Sequence, residues 1–335
     1  MRFHLSEEQI SIQDAVRGTL ADKWSMDHLH KFADSDSDFD QPSWDALMAL
    51  GLAAILSPDS GMGLLDAALV SEVAGEAAAA GPLIGQMIAV AAVSRSSNDA
   101  AKLHLDALLE GTGIATLALG DSVYVPCANA AQFFLTGSRD GAISLVEAGD
   151  GVTIEAVRST DRSRPVSKVS FDGTKTHELF AAGDPTVAKL FDAALVLIAA
   201  DALGGAQKCT DMSVEYAKER EQFGQPVGQF QALKHQLAQM ALDVEPARAQ
   251  LWYAAYAQDA DLDDAPRAAA MAKAHLCDVY VRSSRAAVAA HGGIGYTWEF
   301  GLNYWFRRAA FDRAWLGSPS EHRARAADLA GWTAT

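Results

Sequence analysis

The chain has 335 residues, a length typical of two or three domains and sufficient to bury a large core. Its 27 basic and 43 acidic side chains give a formal net charge of −16 at pH 7. Nucleic-acid binding and electrostatic attachment to an anionic membrane both need a basic patch, so the composition argues against each. General disorder is excluded because 50% of the residues are hydrophobic.

Cysteine usage and the apolar segments bear on the compartment. Cys127, Cys209 and Cys277 are far apart and outside any C-x-x-C motif, so the sequence indicates neither a disulfide framework nor a zinc knuckle. No other metal-ligand spacing stands out, and no metal is expected. The N-terminal segment lacks the apolar core of a signal peptide. The longest apolar stretch, residues 191–205, contains two aspartates and is too short to span a bilayer, so we expect a cytoplasmic protein without a membrane span.

The first region, residues 1–112, is rich in Ala and Leu and is predicted to form an N-terminal helical domain. Ser6, followed three residues later by Gln9, has the capping-box pattern that starts a helix. Further helices are predicted after Pro42 and through residues 64–73.

The second region, residues 113–182, contains short β-like runs separated by Gly, Asp and Asn. This pattern is typical of a small antiparallel sheet or barrel, so a reduced β domain is predicted. The predicted strands cover residues 114–119, 132–136, 142–147, 152–156 and 166–171.

The third region, residues 183–335, is predicted to form a C-terminal four-helix bundle. Asp184-Pro185 is a typical helix start, and the helix that follows is expected to end near Glu219. The next helix has apolar residues at spacings of three and four, and Pro246 inside it is expected to kink it. The predicted fold class is therefore mainly α with a small β domain in the middle.

Residues 220–231, with the sequence REQFGQPVGQFQ, join two of these helices. A guanidinium such as that of Arg220 can bind a pyrophosphate, and aromatic rings such as Phe223 can pack against a flat ligand. The alternative, which spacing alone favours, is a helix-to-helix loop in which Gly224 and Pro226 only make the turn.

A second segment, HGGIGYT at residues 291–297, follows the end of a predicted helix. Glycines let a backbone approach a ligand closely, but glycine-rich loops also simply end helices. No predicted strand precedes the segment, so it does not indicate a Rossmann phosphate loop.

These two segments, together with LAQM at residues 237–240, resemble the C-terminal signatures of the acyl-CoA dehydrogenase family. FHLSEEQ at residues 3–9 resembles the usual start of that family, and DRSRP at residues 161–165 resembles a motif of its actinobacterial-type members. The resemblance spans the chain and implies the same order of helices, strands and helices. It implies an oxidoreductase that converts an acyl-CoA thioester to the 2,3-enoyl-CoA, in which a carboxylate removes the α-proton and FAD accepts a hydride from the β-carbon.

The resemblance also implies how FAD is held. In that family the two loops of one subunit contact an FAD that is bound largely by the neighbouring subunit. The arginine pairs with the pyrophosphate, the Gln and Phe side chains pack along the cofactor, and the glycines let the main chain reach the adenine end. The residues that the resemblance assigns to FAD binding are Arg220, Gln222, Phe223, Gln231, Gly292 and Gly293.

The family's catalytic glutamate is absent from both positions where the family places it, which are Leu316 and Ala194 here. Neither side chain can accept a proton. Asp192 and Glu321 are weak substitutes, for which helix-terminal or interface roles are the ordinary explanation. The middle domain is short, with residues 119–122 roughly where the family has its flavin-facing segment. His235 is expected to be a helix-surface or packed histidine rather than a ligand. Arg307 and Arg308 are expected to be a solvated pair, with an acidic partner or CoA phosphates as the alternative.

These losses remove the proton-abstracting half of the site and retain the half that a subunit lends to its neighbour. We therefore predict the partner-type subunit of a heterotetrameric acyl-CoA dehydrogenase, resembling those that oxidise steroid side-chain CoA esters, and inactive by itself. Two alternatives stay open: a self-sufficient homo-oligomeric dehydrogenase with a relocated base, and a non-enzymatic acyl-CoA or flavin binding protein. The family implies an electron-transfer flavoprotein as the electron acceptor.

Overall fold

The computed structural model describes residues 4–120 and 123–332, and within them helices precede and follow a block of strands. The predicted mainly helical fold with a small β region is confirmed. The predicted domain boundaries fall in the connections 111–114 and 181–184, and as boundaries they stay a prediction. The helices are α1 (Glu7–Lys23), α2 (Met26–Asp34), α3 (Gln41–Met48), α4 (Leu64–Glu76), α5 (Leu83–Arg95), α6 (Asp99–Lys102), α7 (Leu105–Glu110), α8 (Pro185–Glu219), α9 (Gln231–Asp259), α10 (Ala265–His291), α11 (Asn303–Ala314) and α12 (Pro319–Leu329). The strands are β1 (Ala115–Leu119), β2 (Tyr124–Pro126), β3 (Phe133–Gly137), β4 (Ile143–Glu147), β5 (Val152–Ala156), β6 (Val166–Phe171), β7 (Thr176–Phe180), β8 (Glu221–Gln222) and β9 (Gln225–Pro226).

The N-terminal helices begin where the sequence predicts caps. The Gln9 backbone N–H donates to the Ser6 hydroxyl at 3.2 Å, and the Ser6 N–H donates to the Gln9 side chain at 3.0 Å, which is the reciprocal capping box. The sequence analysis misses α5. It is apolar on all sides, so no periodic face reveals it, and it lies buried in the core.

The middle strands form two sheets, ordered β1-β3-β4-β7 and β2-β6-β5. The expectation of a wholly antiparallel arrangement is wrong for one pair, because β1 and β3 run parallel with Ala115 opposite Phe133. The chain between these strands crosses into the second sheet, where β2 pairs with β6, and then returns. Strands β2, with three residues, and β7, with five, were not predicted from the sequence.

The C-terminal bundle is built on α8, α9 and α10, with α12 packed against α10. Asp184 caps α8 by accepting a hydrogen bond from the Thr186 N–H at 2.8 Å. The predicted apolar face of α9 is buried from Met240 to Leu251. The helix continues through Pro246, whose ring lies on the exposed side. Across the described residues, no helix combines the length and the apolar character needed to cross a membrane.

The N-terminal helices join the bundle through a close crossing of α4 and α8. A Cβ built on Gly204 would lie 1.8 Å from the Glu72 carbonyl oxygen, and one on Gly75 would lie 2.0 Å from the Asp201 carbonyl oxygen. Side chains at either glycine would force the two helices apart. One continuous apolar core consequently links both helical regions.

Candidate functional site

The chain from α8 to α9 is a β-hairpin rather than an irregular loop. β8 and β9 pair, and the two residues between them, Phe223 and Gly224, both have positive φ, at 54° and 77°. Two positive φ values define the tight turns that fit the twist of a hairpin, but a phenylalanine there is strained. The Phe223 ring is nevertheless 92% exposed, and it makes an edge-on contact with Phe230, with ring centroids 6.1 Å apart. Strain combined with an exposed aromatic ring favours a contact role for this hairpin.

Polar residues surround the hairpin. Arg220 is the C-cap of α8 and is exposed, and within the described chain no hydrogen bond or ion pair engages its guanidinium. Gln222 is exposed and donates only to the neighbouring Glu221 carbonyl at 2.8 Å. Gln231 is the exposed first residue of α9. These side chains are available to a ligand or a second subunit.

The glycine-rich segment forms a 3₁₀ turn, Gly292–Tyr296, at the end of α10. Gly292 has φ 62° and ψ −138°, a conformation open essentially to glycine alone, and nothing lies within 4 Å of a Cβ built on Gly292 or Gly293. His291 stacks on Tyr216 of α8, with ring centroids 4.5 Å apart. Because Tyr216 lies one turn before Arg220, this stacking brings the glycine turn to the same end of the bundle as the hairpin.

The loop between α11 and α12 carries Leu316, one of the two family glutamate positions. Leu316 has φ 54° and packs against the core with Trp315. The buried ammonium of Lys273 donates to the Gly317 carbonyl at 3.3 Å, and the His322 ring nitrogen lies 2.9 Å from the Leu316 carbonyl oxygen. Burial and then the nearby Lys273 charge lower the pKa of His322 to about 4, so the ring is neutral and donates. The loop is rigidly held and presents an apolar side chain.

The other proposed sources of a base are also engaged. Ala194 lies on α8 and is fully buried. Asp192 is 1% exposed and accepts two hydrogen bonds from each of two guanidinium groups, Arg139 at 2.8 and 2.9 Å and Arg325 at 2.8 and 3.0 Å. Glu321 completes the capping box of α12 by accepting from the Ser318 N–H at 2.6 Å. The substitutes therefore have structural roles, and Asp192 is a buried ion-pair residue rather than a helix-terminal charge.

A buried charged cluster lies beside this loop. Arg164 bridges two aspartates, with its terminal nitrogens 2.7 Å from Asp201 Oδ1 and 2.8 Å from Asp312 Oδ1. Arg308 lies 3.3 Å from Asp161 Oδ2 and 3.8 Å from Asp201 Oδ1. The expectation that Arg308 is solvated is wrong, since its side chain is 0% exposed. Helix α11 directs it inward, where it donates to the Ala79 and Ser163 carbonyl oxygens of two connecting segments.

The two aspartates beside Arg164 differ in charge. Burial raises the pKa of Asp312 well above its usual range, and the neighbouring Asp201 carboxylate raises it further, so Asp312 holds a proton. Burial also opposes ionisation of Asp201, but Arg164 and Arg308 overcome it and lower the pKa of that carboxyl. Ionisation is therefore favoured on Asp201, the aspartate that faces both arginines.

The space around Trp315 consists of two unequal parts. A cavity of about 20 Å³ lies between Trp315, Arg164 and Asp201, which is room for about one water molecule. An open groove of about 520 Å³ lies on the other side, between the sheet of β2 and β6 and helix α11, lined by Arg158 and Phe311 among others. Asp161, the single carboxylate among the described residues of this groove, accepts from Arg308 and from the Ser163 N–H and hydroxyl.

The structure brings the hairpin and the glycine turn to the same end of the bundle. Leu316 is half-buried in the loop between α11 and α12, and Ala194 is fully buried in α8. His235 is exposed on α9, as expected. Of the suggested flavin-facing segment, Asp121 and Ser122 lie outside the described residues. The Arg164 cluster was not predicted, because Asp201 and Asp312, the two aspartates that Arg164 bridges, are 37 and 148 residues from that arginine in the chain.

Comparison with known proteins identifies the family. The profile of the acyl-CoA dehydrogenase C-terminal domain matches residues 182–329. Acyl-CoA dehydrogenase IpdE2 of Mycobacterium tuberculosis (strain ATCC 25618 / H37Rv) is 30% identical over 322 residues, which cover 94% of this chain and 95% of that protein. The chain belongs to the acyl-CoA dehydrogenase family, a family of flavin-dependent oxidoreductases.

Solved structures agree with this assignment. A variant described as "Tcur3481-Tcur3483 steroid ACAD" superposes with a TM-score of 0.87 at 25% identity, covering 97% of this chain and 98% of that one. The ChsE4-ChsE5 complex from Mycobacterium tuberculosis contains a chain that superposes with a TM-score of 0.88 at 23% identity, with 100% of both chains covered. The second likeness concerns the fold alone.

Proposed function

We propose that this chain is the partner-type subunit of a hetero-oligomeric, FAD-dependent acyl-CoA dehydrogenase. It completes the FAD site of a catalytic subunit and does not abstract the substrate's α-proton. One observation carries the proposal: both glutamate positions are apolar, Leu316 and Ala194, and the nearby carboxyl groups described above are held by arginines or cap a helix. The names of the ChsE4-ChsE5 complex and the Tcur3481-Tcur3483 steroid enzyme describe paired subunits and a steroid substrate, and they motivate the same assembly and substrate class here.

The exposed residues of the hairpin and of the glycine turn support FAD binding. Arg220 offers an unpaired fork of donors that suits a pyrophosphate, Phe223 offers an exposed ring, and Gly292 and Gly293 leave the main chain accessible. FAD, when bound, supplies the acceptor for the substrate hydride. The residues of this chain hold and orient the cofactor's far end, and the catalytic subunit contributes the base. Electron transfer to an electron-transfer flavoprotein and a cytoplasmic location complete the proposal.

A second candidate is binding of an acyl-CoA or flavin without oxidation, which the groove of about 520 Å³ favours. Arg158 and Arg307 at its rim suit phosphate groups, and Phe311 and Trp315 suit an apolar or flat ligand. Both candidates share the absence of a base in this chain, and they differ in whether a partner subunit restores oxidation.

The decisive experiment measures visible flavin absorbance and acyl-CoA oxidation for the chain alone and for the chain co-expressed with a glutamate-bearing subunit of the same family. We expect stable flavin and turnover only in the co-expressed complex. Because a general base contributes about 10²–10⁴-fold to rate, the chain alone should be essentially inactive. Robust oxidation by the chain alone would contradict the proposal, and ligand binding without oxidation in both states would favour the second candidate.

The role of Arg220 is tested by Arg220→Ala in that complex. Loss of a charge-assisted, bidentate contact costs about 1.5–3 kcal/mol, so the dissociation constant for FAD should rise roughly 10- to 150-fold. The unfolding temperature of the complex should stay unchanged. Arg220→Lys should restore binding only in part, because an ammonium lacks the planar fork. Arg267→Ala is the matched control, since Arg267 lies near the start of α10, at the end of that helix away from the glycine turn. Equal flavin retention in all four proteins would refute the assignment.

A further test introduces the missing carboxylate as Leu316→Glu. We expect no turnover by the isolated variant, because the glutamate would enter a loop whose neighbours pack as an apolar and ion-paired core. The measurement is acyl-CoA oxidation with an artificial electron acceptor, with the wild-type chain as the reference. Activity in the isolated variant would show that the rest of a working site survives in this chain.

A further inference from the structure

A cluster of two histidines and one glutamate lies outside the site described above. His104, Glu147 and His177 have their ligand atoms within 4.8 Å of one another. The Nε2 atoms of His104 and His177 lie 3.0 and 2.7 Å from the same oxygen, Oε1 of Glu147. The residues are 43 and 30 positions apart along the chain, so no local spacing reveals the cluster.

Rigid elements hold each of the three side chains. Glu147 ends β4 and His177 lies on the adjacent strand β7, where the Glu147 N–H donates to the Lys175 carbonyl at 3.0 Å. His104 precedes the first turn of α7, and its ring packs against Phe133 of β3 with centroids 4.8 Å apart. The cluster therefore joins the N-terminal helices to the four-stranded sheet.

We propose that His104, Glu147 and His177 form a binding site for a divalent transition-metal ion of the zinc class. Two imidazole nitrogens and one carboxylate oxygen are the three protein ligands found in many zinc sites, with a fourth position left for water. This donor set favours Zn²⁺ over Mg²⁺ and Ca²⁺, which prefer oxygen ligands alone. The ligand side chains are between 10% and 24% exposed, so the site is sheltered but open to an incoming ion.

The present hydrogen bonds convert to metal bonds by small movements. Tetrahedral zinc ligands about 2.0–2.2 Å from the ion lie roughly 3.3 Å apart, so the nitrogen–oxygen distances of 3.0 and 2.7 Å must lengthen by roughly 0.3 and 0.6 Å. The two nitrogens, which lie within 4.8 Å of each other, must come to a similar separation. Each imidazole then carries its proton on the other ring nitrogen. The ion takes the place of the Lys175 ammonium, which lies 2.6 Å from the same oxygen on a side chain that is 68% exposed and can turn into solvent.

The lysine gives the proposal a directional test. Lys175→Met removes a competing cation without touching a ligand, so Zn²⁺ binding should tighten. An exposed ion pair is worth up to about 1 kcal/mol, and the gain in affinity should accordingly be about fivefold or less. His104→Gln keeps a hydrogen-bond donor to Glu147 but removes an imidazole ligand, so affinity should fall at least tenfold while the fold is retained.

The experiment titrates the full-length chain, stripped of metal by a chelator, with ZnCl2 and in parallel with MgCl2, using calorimetry and thermal unfolding. We expect one Zn²⁺ per chain, a raised unfolding temperature, and no response to Mg²⁺ at the same concentrations. The matched control is His28→Ala, because His28 pairs with Asp40 at 2.8 Å without a second histidine and its loss should leave this binding unchanged. Equal Zn²⁺ affinity in wild type and His104→Gln, or no binding to wild type, would overturn the proposed metal site. The three residues would then only form hydrogen bonds that join the helices to the sheet.

Discussion

The paired aspartates beside Arg164 should respond in opposite ways to the same isosteric change. Asp201 carries a charge that faces two guanidinium groups, whereas Asp312 holds a proton that burial and its charged neighbour keep in place. Asparagine has nearly the shape of a protonated aspartic acid and carries no charge. Asp312→Asn is therefore a conservative replacement, and Asp201→Asn removes the anion on which Arg164 and Arg308 depend.

The magnitudes follow from burial. Arg164 is 5% exposed and Arg308 0%, so neither guanidinium can turn to water when Asp201 becomes neutral. Removing one partner of a buried ion pair costs about 3–5 kcal/mol because the other charge remains desolvated. Arg164 keeps Asp312 at 2.8 Å and Arg308 keeps Asp161 at 3.3 Å, so we expect a smaller loss of about 1.5–3 kcal/mol for Asp201→Asn. For Asp312→Asn we expect a change within about 1 kcal/mol, because one neutral hydrogen-bonding group replaces another.

The assay is urea unfolding of both variants at pH 7, followed by tryptophan fluorescence, since Trp315 lies 5.5 Å from the Arg164 guanidinium and reports on the cluster. Asp201→Asn should shift the midpoint to much lower urea, and Asp312→Asn should leave it almost unchanged. Equal losses in the two variants, or a larger loss for Asp312→Asn, would refute the assignment of the proton to Asp312.

Two further predictions concern the helix crossing and the loop that carries Leu316. Gly204→Ala places a methyl group against a helix backbone 1.8 Å away, so we expect a loss of about 1–3 kcal/mol by thermal unfolding, whereas Gly18→Ala, with nothing within 4 Å, should be neutral or stabilising. Burial, and then the Lys273 charge, lower the pKa of His322 to about 4, whereas its pKa in the unfolded chain is about 6.5. As the pH falls, the unfolded chain therefore binds a proton at this histidine before the folded chain does. The free energy of unfolding should fall by up to about 3 kcal/mol between pH 6.5 and pH 4. In His322→Gln, urea unfolding at several pH values should lack this part of the loss, and an unchanged pH dependence would contradict the pKa shift.

The local features of this protein are determined by its sequence. The capping box at Ser6, the start of α8 at Asp184 and the buried face of α9 each depend on residues within one or two turns, so short-range patterns predict them. Gly224, Pro226 and the glycines after His291 likewise marked these two segments as connections at helix ends, but the pairing of β8 with β9 was not predicted. The apolar residues Leu316 and Ala194 could be identified at the two glutamate positions for the same reason, since each position is located by the neighbouring residues in the sequence.

Tertiary structure decided which charges are buried and which strands pair. The sequence predicted a helix-terminal or interface role for Asp192 and a solvated side chain for Arg308, and only the packing of distant segments around them removes both from water. The parallel pairing of β1 with β3 depends on the path of the chain through a second sheet, which no strand encodes by itself. His104, Glu147 and His177 meet for the same reason: their contacts join a helix start to two strands, and residues so far apart in the chain become neighbours only after the core has formed.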